Sequence, residues 1–339
     1  MHNLNKIEML NLELTTNCPL RCPQCYCSLT GGKNLDLDVA ISRVKEAKDM
    51  GLQEVMLSGG ETMCYPHLFE LIRSISDMGI KTNVALSGYR LSKATYEELL
   101  KAGIYGIFIS LNGSTEEINS QTRDGYELAI SALRILCEEG FTNTTLNWVM
   151  HSSNADDFEN ILKIAEKNKV AKVTVMAVKP TSKKELNTVP SKRQMIMVRD
   201  TIKNYKGKTR IMVETCFSPM LALISETKLF GNLNVGKYMG CGAGRWGISI
   251  NVDGLFSPCR HLDYFENCKS VRDYWENSNI LKHLREMNDD AHQTPCDTCR
   301  FVKHCRHCVA INSKIEEKLY RGNKYCPIAE EVAIGNNRE

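Results

Sequence analysis

The sequence is short of several things. It has no apolar run of twenty residues, so no membrane-spanning helix is expected. It has no secretory signal pattern at its N-terminus. Its 43 basic and 40 acidic residues are interspersed and leave a net charge of only +3, which argues against a dedicated nucleic-acid surface. There is no low-complexity tract and no repeat beyond an alternation of strand and helix signals. These absences point to a cytoplasmic globular chain with neither membrane nor nucleic acid as a partner. Its 339 residues, 42% of them hydrophobic, suffice for one large domain and one smaller one.

Cysteine is what the chain has in excess. Of fifteen, four crowd residues 18–27 and eight fall from Cys241 to Cys326, with only Cys64, Cys137 and Cys216 between. In a secreted chain such numbers would read as disulfides. In a cytoplasmic chain of this size, clustered thiols read as metal ligands.

Short apolar runs closed by Gly, Ser or Asn predict six strands, at 10–14, 54–59, 82–88, 106–112, 145–150 and 172–178. Helical segments separate them. The run at 36–51 ends at Gly51, expected as its C′ residue. The run at 67–79 repeats Leu68, Leu71, Ile72 and Ile75, and the run at 126–140 places Leu128, Ala132, Leu133 and Leu136 on one face, with Cys137 expected in the core. Six such units of roughly thirty residues predict an α/β fold, a partial (β/α)6 TIM-like barrel with its site at the C-terminal ends of the strands. A further helix and strand (190–205, 210–215) bring the barrel to residue 215. From Cys241 the chain reads as loop-rich and cysteine-rich, with one hairpin signal around Asp253-Gly254. The expected division is 1–215 and 216–339.

Cys18, Cys22 and Cys25 are spaced C-x3-C-x2-C. Three thiolates on one short loop can hold three irons of a cubane and leave the fourth iron free. A structural zinc is the alternative, but it wants four ligands, and Cys27 is awkwardly close to join the same tetrahedron. At the end of the second predicted strand stands Ser58-Gly59-Gly60-Glu61, where adjacent glycines let a backbone approach a ligand and Glu61 offers an acceptor.

On these residues the chain resembles the radical S-adenosylmethionine superfamily. The resemblance implies that the three cysteines hold a [4Fe–4S] cluster and that Gly59, Gly60 and Glu61 hold the amino group of S-adenosylmethionine. It further implies that Ser110 meets the ribose and Arg123 the carboxylate, with Asn112 and Met176 also counted among cofactor contacts. Two departures stand out. Asn112 occupies a place where aspartate is common, and Gln24 a place where an aromatic is frequent before the third cysteine; Tyr26 follows that cysteine instead.

The pattern Cys241-x12-Gly254-x4-Cys259, then Cys296-x2-Cys299-x5-Cys305-x2-Cys308, then Cys326, resembles the seven-cysteine SPASM domain. Two residues separate Cys305 from Cys308 where three are usual. The resemblance implies two auxiliary four-iron clusters, making three in all. Cys296, Cys299, Cys305 and Cys326 would hold one. Cys241, Cys259 and Cys308 would hold the other, with Cys216 as its fourth ligand, as a hydrogen-atom donor, or as a core thiol. Cys64 and Cys268 carry no assigned role. His261, His304 and His307, which flank cluster cysteines, are read as lying around the clusters or on the surface rather than as ligands. Far apart in sequence, the two cysteine groups are expected to assemble independently.

The resemblance also implies the activity: reductive cleavage of S-adenosylmethionine and hydrogen-atom abstraction from a ribosomal peptide, giving a thioether or carbon cross-link or an epimer. A flavodoxin or ferredoxin would supply the electron. With about nine residues before the first strand, no leader-reading domain is expected, so a separate protein or the barrel itself would read the leader. The alternatives are a sulfatase-maturase-like or small-molecule oxidase and, from another class, a zinc-binding interaction protein.

Overall fold

The computed structural model describes residues 6–27, 29–225, 240–287, 295–299, 301, 305, 307–320 and 322–329. Each of the six expected strands is present with bounds within two residues of the expected ones: β1 (Met9–Glu13), β2 (Glu54–Ser58), β3 (Lys81–Leu86), β4 (Gly106–Ser110), β5 (Thr144–Met150) and β6 (Lys172–Ala177). They pair in parallel in chain order, and β7 (Arg210–Val213) extends the edge beyond β6.

The intervening helices cover the outer face by burying one stripe each. Helix α1 (Leu37–Lys48) is capped by Asp36, whose carboxylate accepts from the Val39 amide at 3.0 Å, and it buries Ala40, Val44 and Ala47. Gly51 lies beyond the capping Asp49, one place later than expected, and takes φ +95° as its amide closes on the Lys48 carbonyl. Helix α2 (Leu68–Asp77) buries the four residues expected of it. The helix Tyr126–Glu138 buries Ala129, Ala132, Leu133 and Leu136. Leu128 and Cys137 lie one step off that i, i+3, i+4, i+7 stripe and are only half-buried. Among the described residues no helix is long and apolar enough to cross a membrane.

The sheet does not stop at residue 215. The first strand of the expected hairpin, β8 (Gly247–Ile250), lies parallel to β1, with Met9 opposite Gly247 and Leu12 opposite Ile250. Its partner β9 (Phe256–Ser257) returns antiparallel and completes a nine-stranded sheet. The turn is wider than the tight Asp-Gly turn expected. The Asn251 carboxamide oxygen accepts from the amides of Asp253 (3.1 Å) and Leu255 (2.9 Å), and Gly254 supplies φ +76°.

The stretch read as loop-rich also holds helices at Val271–Asn277, Asn279–Glu286 and Val309–Glu316. The first two start on Ser270 and Ser278, whose hydroxyls cap them. α1 fastens to this region: Glu46 accepts from the Val271 amide at 2.6 Å, and Arg43 donates to the Lys269 carbonyl at 2.8 Å.

β1 is thus a central strand only because β8 covers its second edge. Cut at residue 215, the fragment would expose that edge and the covered flank of α1. Residues 1–215 alone are expected to self-associate in size-exclusion chromatography, whereas a monomer that unfolds cooperatively would contradict the dependence.

Candidate active site

The site is built where β1 and β2 end. The loop leaving β1 is closed at its base by Thr16, whose amide donates to the Lys33 carbonyl (3.0 Å) and whose hydroxyl accepts from the Lys33 amide (3.1 Å). Asn17 accepts from the Gly32 amide at 2.8 Å. Against this base packs the turn that ends β2. The Gly60 amide donates to the Thr15 carbonyl (2.7 Å) and the Glu61 amide to the Asn17 carbonyl (2.8 Å).

The two glycines are needed for this contact between backbones. A Cβ on Gly60 would lie 2.4 Å from the Asn17 carbonyl oxygen. On Gly59, at φ +126°, it would lie 2.8 Å from that of Thr15. Gly-Gly therefore admits the chain's own cysteine loop, in addition to lining the cavity where the sequence suggested room for a ligand.

The cysteine loop is pinned from the far side by residues 122–124. The Gln24 amide donates to the Thr122 carbonyl (3.3 Å), and the Arg21 amide to Asp124 (2.7 Å). The Arg21 guanidinium folds back onto the carbonyls of Cys18 and Leu20. Cys27, unassigned from sequence, donates its thiol to the Gly59 carbonyl at 2.9 Å. A hydrogen bond with Cys27 outweighs burial and brings Cys25 down to about 6, with the Arg123 guanidinium adding to the fall. Burial pushes Cys18 the other way.

Cys18, Cys22, Cys25, Gly59, Gly60, Glu61, Ser110, Asn112, Arg123 and Met176 all line one cavity at the C-terminal ends of the strands. Two of them also hold the fold together. The Glu61 carboxylate is buried and already engaged. It accepts from the Met63 amide (3.2 Å), the Ser87 amide (2.9 Å) and the Ser87 hydroxyl, tying the end of β2 to the end of β3, while burial raises its pKa.

Asn112 is likewise spent on the fold. It donates to Thr122 (2.9 Å), and its side-chain oxygen accepts from the Val149 amide (3.1 Å). Its carbonyl accepts from Trp148 and Asn154. Arg123 is the opposite case. Its Nε is buried with no hydrogen-bond partner among the described residues, as are Gln24 Oε1 and Ser58 Oγ of the same cavity. A guanidinium held so has donors to give to an anionic guest.

The far wall of the cavity was read in the sequence only at His261. It includes Lys179, Arg260 and His261. Lys179 is nearly buried and pairs with Glu214 at 2.9 and 3.1 Å. Burial opposes ionisation of Glu214, but the Lys179 ammonium prevails and holds its carboxyl below the usual range. The one local cue was position: Lys179 and Glu214 stand just past the ends of β6 and β7.

Behind this wall the structure gathers the C-terminal cysteines into two groups. Cys216, Cys241, Cys259 and Cys308 share one apolar cluster. Burial pushes Cys241 up to about 12, with Cys259 and Cys216 adding to the rise. In the second group burial pushes Cys305 up to about 12, reinforced by Cys326, Cys296 and Cys299.

His261 lines the cavity and His307 is buried rather than on the surface, while His304 lies outside the described residues. Among the described residues no group of three His, Cys, Asp or Glu side chains converges on a single ion position. A cubane asks for no such convergence, since each thiolate takes a different iron.

Residues 12–165 match the Radical SAM superfamily. Along the sequence the chain is 28% identical to a PqqA peptide cyclase of Ruegeria pomeroyi over 317 residues, spanning 88% of this chain and 79% of that one. It is 22% identical to an AdoMet-dependent heme synthase of Methanosarcina barkeri over 339 residues, 93% of this chain and 96% of the other. In fold it is similar to Streptococcus suis SuiB bound to its precursor peptide SuiA, with a TM-score of 0.76 at 19% identity over 95% of this chain and 76% of SuiB. It is also similar to anSMEcpe with bound AdoMet, with a TM-score of 0.72 at 16% identity over 98% and 100%.

Because the atom facing Gly60 is a backbone oxygen, no side chain can yield to a methyl there. Gly60→Ala is expected to destabilise by about 1–3 kcal/mol through overpacking. Gly247→Ala, whose Cβ would meet only an ordinary 3.4 Å contact, should cost less. Thermal unfolding of both variants checks the order; equal melting temperatures would contradict it.

Proposed function

We propose that the chain, whose residues 12–165 are a radical SAM domain, is an enzyme that cleaves S-adenosylmethionine reductively and modifies a peptide. One observation carries the reading. Three loop cysteines and an arginine with a buried, unpartnered Nε line the same cavity at the strand ends.

The residues fit the group. Cys18, Cys22 and Cys25 offer three thiolates for a [4Fe–4S] cluster and leave one iron open for a ligand. Arg123 would hold the carboxylate of S-adenosylmethionine by charge-assisted hydrogen bonds, beside Gly59, Gly60, Ser110 and Met176. Glu61 and Asn112 would meet it as well, while fixing the strand ends around it. When bound, the cluster and S-adenosylmethionine supply one-electron cleavage of the sulfonium and hydrogen-atom abstraction from the substrate. The chain's own part is to orient these partners and to wall the cavity against water with the segment after Cys259.

Residues 1–215 would then be the partial barrel and 216–339 a SPASM part holding two auxiliary clusters. One would sit on Cys216, Cys241, Cys259 and Cys308, the other on Cys296, Cys299, Cys305 and Cys326. For Cys216, ligation is favoured over hydrogen-atom donation by its place in one apolar cluster with Cys241, Cys259 and Cys308.

A relative named for a peptide cyclase and a fold neighbour bound to a precursor peptide support a peptide substrate. A flavodoxin or ferredoxin as reductant, a separate leader-reading protein and a cytoplasmic setting complete the proposal. The relative named for heme synthesis keeps a small-molecule substrate as the second reading.

Anaerobically purified protein with dithionite should form 5′-deoxyadenosine. Ala at Cys18, Cys22 and Cys25 should abolish it and remove about a third of roughly twelve irons. Persistent product, or zinc in place of iron, would sink the reading. In a titration, Arg123→Ala should weaken S-adenosylmethionine binding by about 1.5–3 kcal/mol, and Arg134→Ala, on the exposed face of its helix, should leave it unchanged.

Cys216→Ala should lower iron by up to about four per chain. Full iron with an unaltered Mössbauer spectrum, together with lost or adenosylated product, would reassign Cys216 as the hydrogen donor.

A further inference from the structure

Gln24 precedes the third cysteine of the loop and Tyr26 follows it, so the aromatic of this loop is displaced past Cys25. The structure shows what it meets there. The Arg260 guanidinium stands over the Tyr26 ring at 5.2 Å from its centroid. The His261 ring packs against it at 4.6 Å between centroids and 59° between planes. Arg260 and His261 directly follow Cys259, and Tyr26, Arg260 and His261 all line the cavity.

The other restraints on this loop come from the barrel itself: Asp124 on Arg21, Thr122 on Gln24 and Gly59 on Cys27. Among the described residues, the grip on Tyr26 is the one that comes from the C-terminal third of the chain. Tyr26 is 38% exposed, so burial in a core does not fix it; the two ring contacts do. The same C-terminal segment is anchored behind, where Cys259 packs on the apolar cluster that includes Cys308 and Val309.

We propose that Arg260 and His261 form a clasp on Tyr26 that positions the Cys25 loop, so that the segment after Cys259 sets how tightly the barrel cavity holds its guest. Independently as the two cysteine groups are expected to assemble, they are then coupled in guest binding through one aromatic contact. This rests on the reading that the cavity binds S-adenosylmethionine. Tyr26, Arg260 and His261 are positioning residues in it.

The test uses the anaerobically purified, iron-loaded protein and two measurements: the dissociation constant for S-adenosylmethionine by calorimetry, and amide hydrogen exchange of residues 18–27. Tyr26→Ala, and separately the pair Arg260→Met with His261→Leu, are each expected to weaken binding about fivefold, the scale of a ring contact plus a cation–π contact, and to speed exchange in the loop. Combining all three should do no more than either alone. Tyr26→Phe, which keeps the ring, should restore both readouts to within twofold.

Unchanged binding and exchange in Tyr26→Ala, or effects that multiply in the combined variant, would overturn the clasp. Should Tyr26→Ala fail to fold, Arg260→Met alone decides by the same readouts, with no change in loop exchange counting against it. Wild-type protein that binds no S-adenosylmethionine would fail the functional reading instead.

Discussion

The structure depends on one contact without side chains: the Gly59-Gly60 turn at the end of β2 lying directly on the backbone of residues 15–17 at the exit of β1. Two hydrogen bonds, from Gly60 to Thr15 and from Glu61 to Asn17, lock it. A methyl group on either glycine would collide with a carbonyl oxygen. The contact fixes where the cysteine loop starts. It also turns Glu61 beneath the strand ends, where the carboxylate gathers the amides of Met63 and Ser87. A buried carboxylate is costly unless its oxygens are well supplied with donors, and here the strand ends supply them. The floor of the cavity is therefore one hydrogen-bonded unit.

The opposite wall follows a different logic. Lys179 and Glu214 form a buried ion pair between the cavity and Cys216. Such a pair contributes little net stability compared with apolar packing, because desolvation offsets most of the attraction. What it does here is local. The Ala177 amide donates to Glu214 and Lys179 donates to the Ala177 carbonyl, so the pair joins the ends of β6 and β7 beside the C-terminal cysteines.

Much of this was legible in the sequence, and the reason is range. The six strands are bounded by residues a few positions away, and the cysteine spacing is a property of one short loop, so both are local signals. Arg123 was legible only through a resemblance, since no period or spacing marks an arginine with an unpartnered Nε. What escaped was non-local. Nothing in GISI announces a partner as distant as β1, and the short helices after Ser270 and Ser278 are amphipathic over too few turns to stand out from loop. Glu61 and Asn112 have the residue types of ligand contacts, but their hydrogen-bond partners Ser87, Thr122 and Val149 are ones that only the fold brings near. Arg260 and His261 look like flanking residues until the fold sets them on Tyr26.

The pairing of β1 with β8 carries a consequence for biosynthesis. The first strand leaves the ribosome long before its second neighbour, because almost the whole barrel is translated between Met9 and Gly247. Until then one edge of β1 has no partner, and the thiols that follow it lack the segment after Cys259. Closing so long a span costs chain entropy that only the finished contacts repay. The N-terminal cysteines are thus made first and enclosed last. The nascent chain leaves them open to an iron–sulfur donor, and also to oxidants, through most of its synthesis.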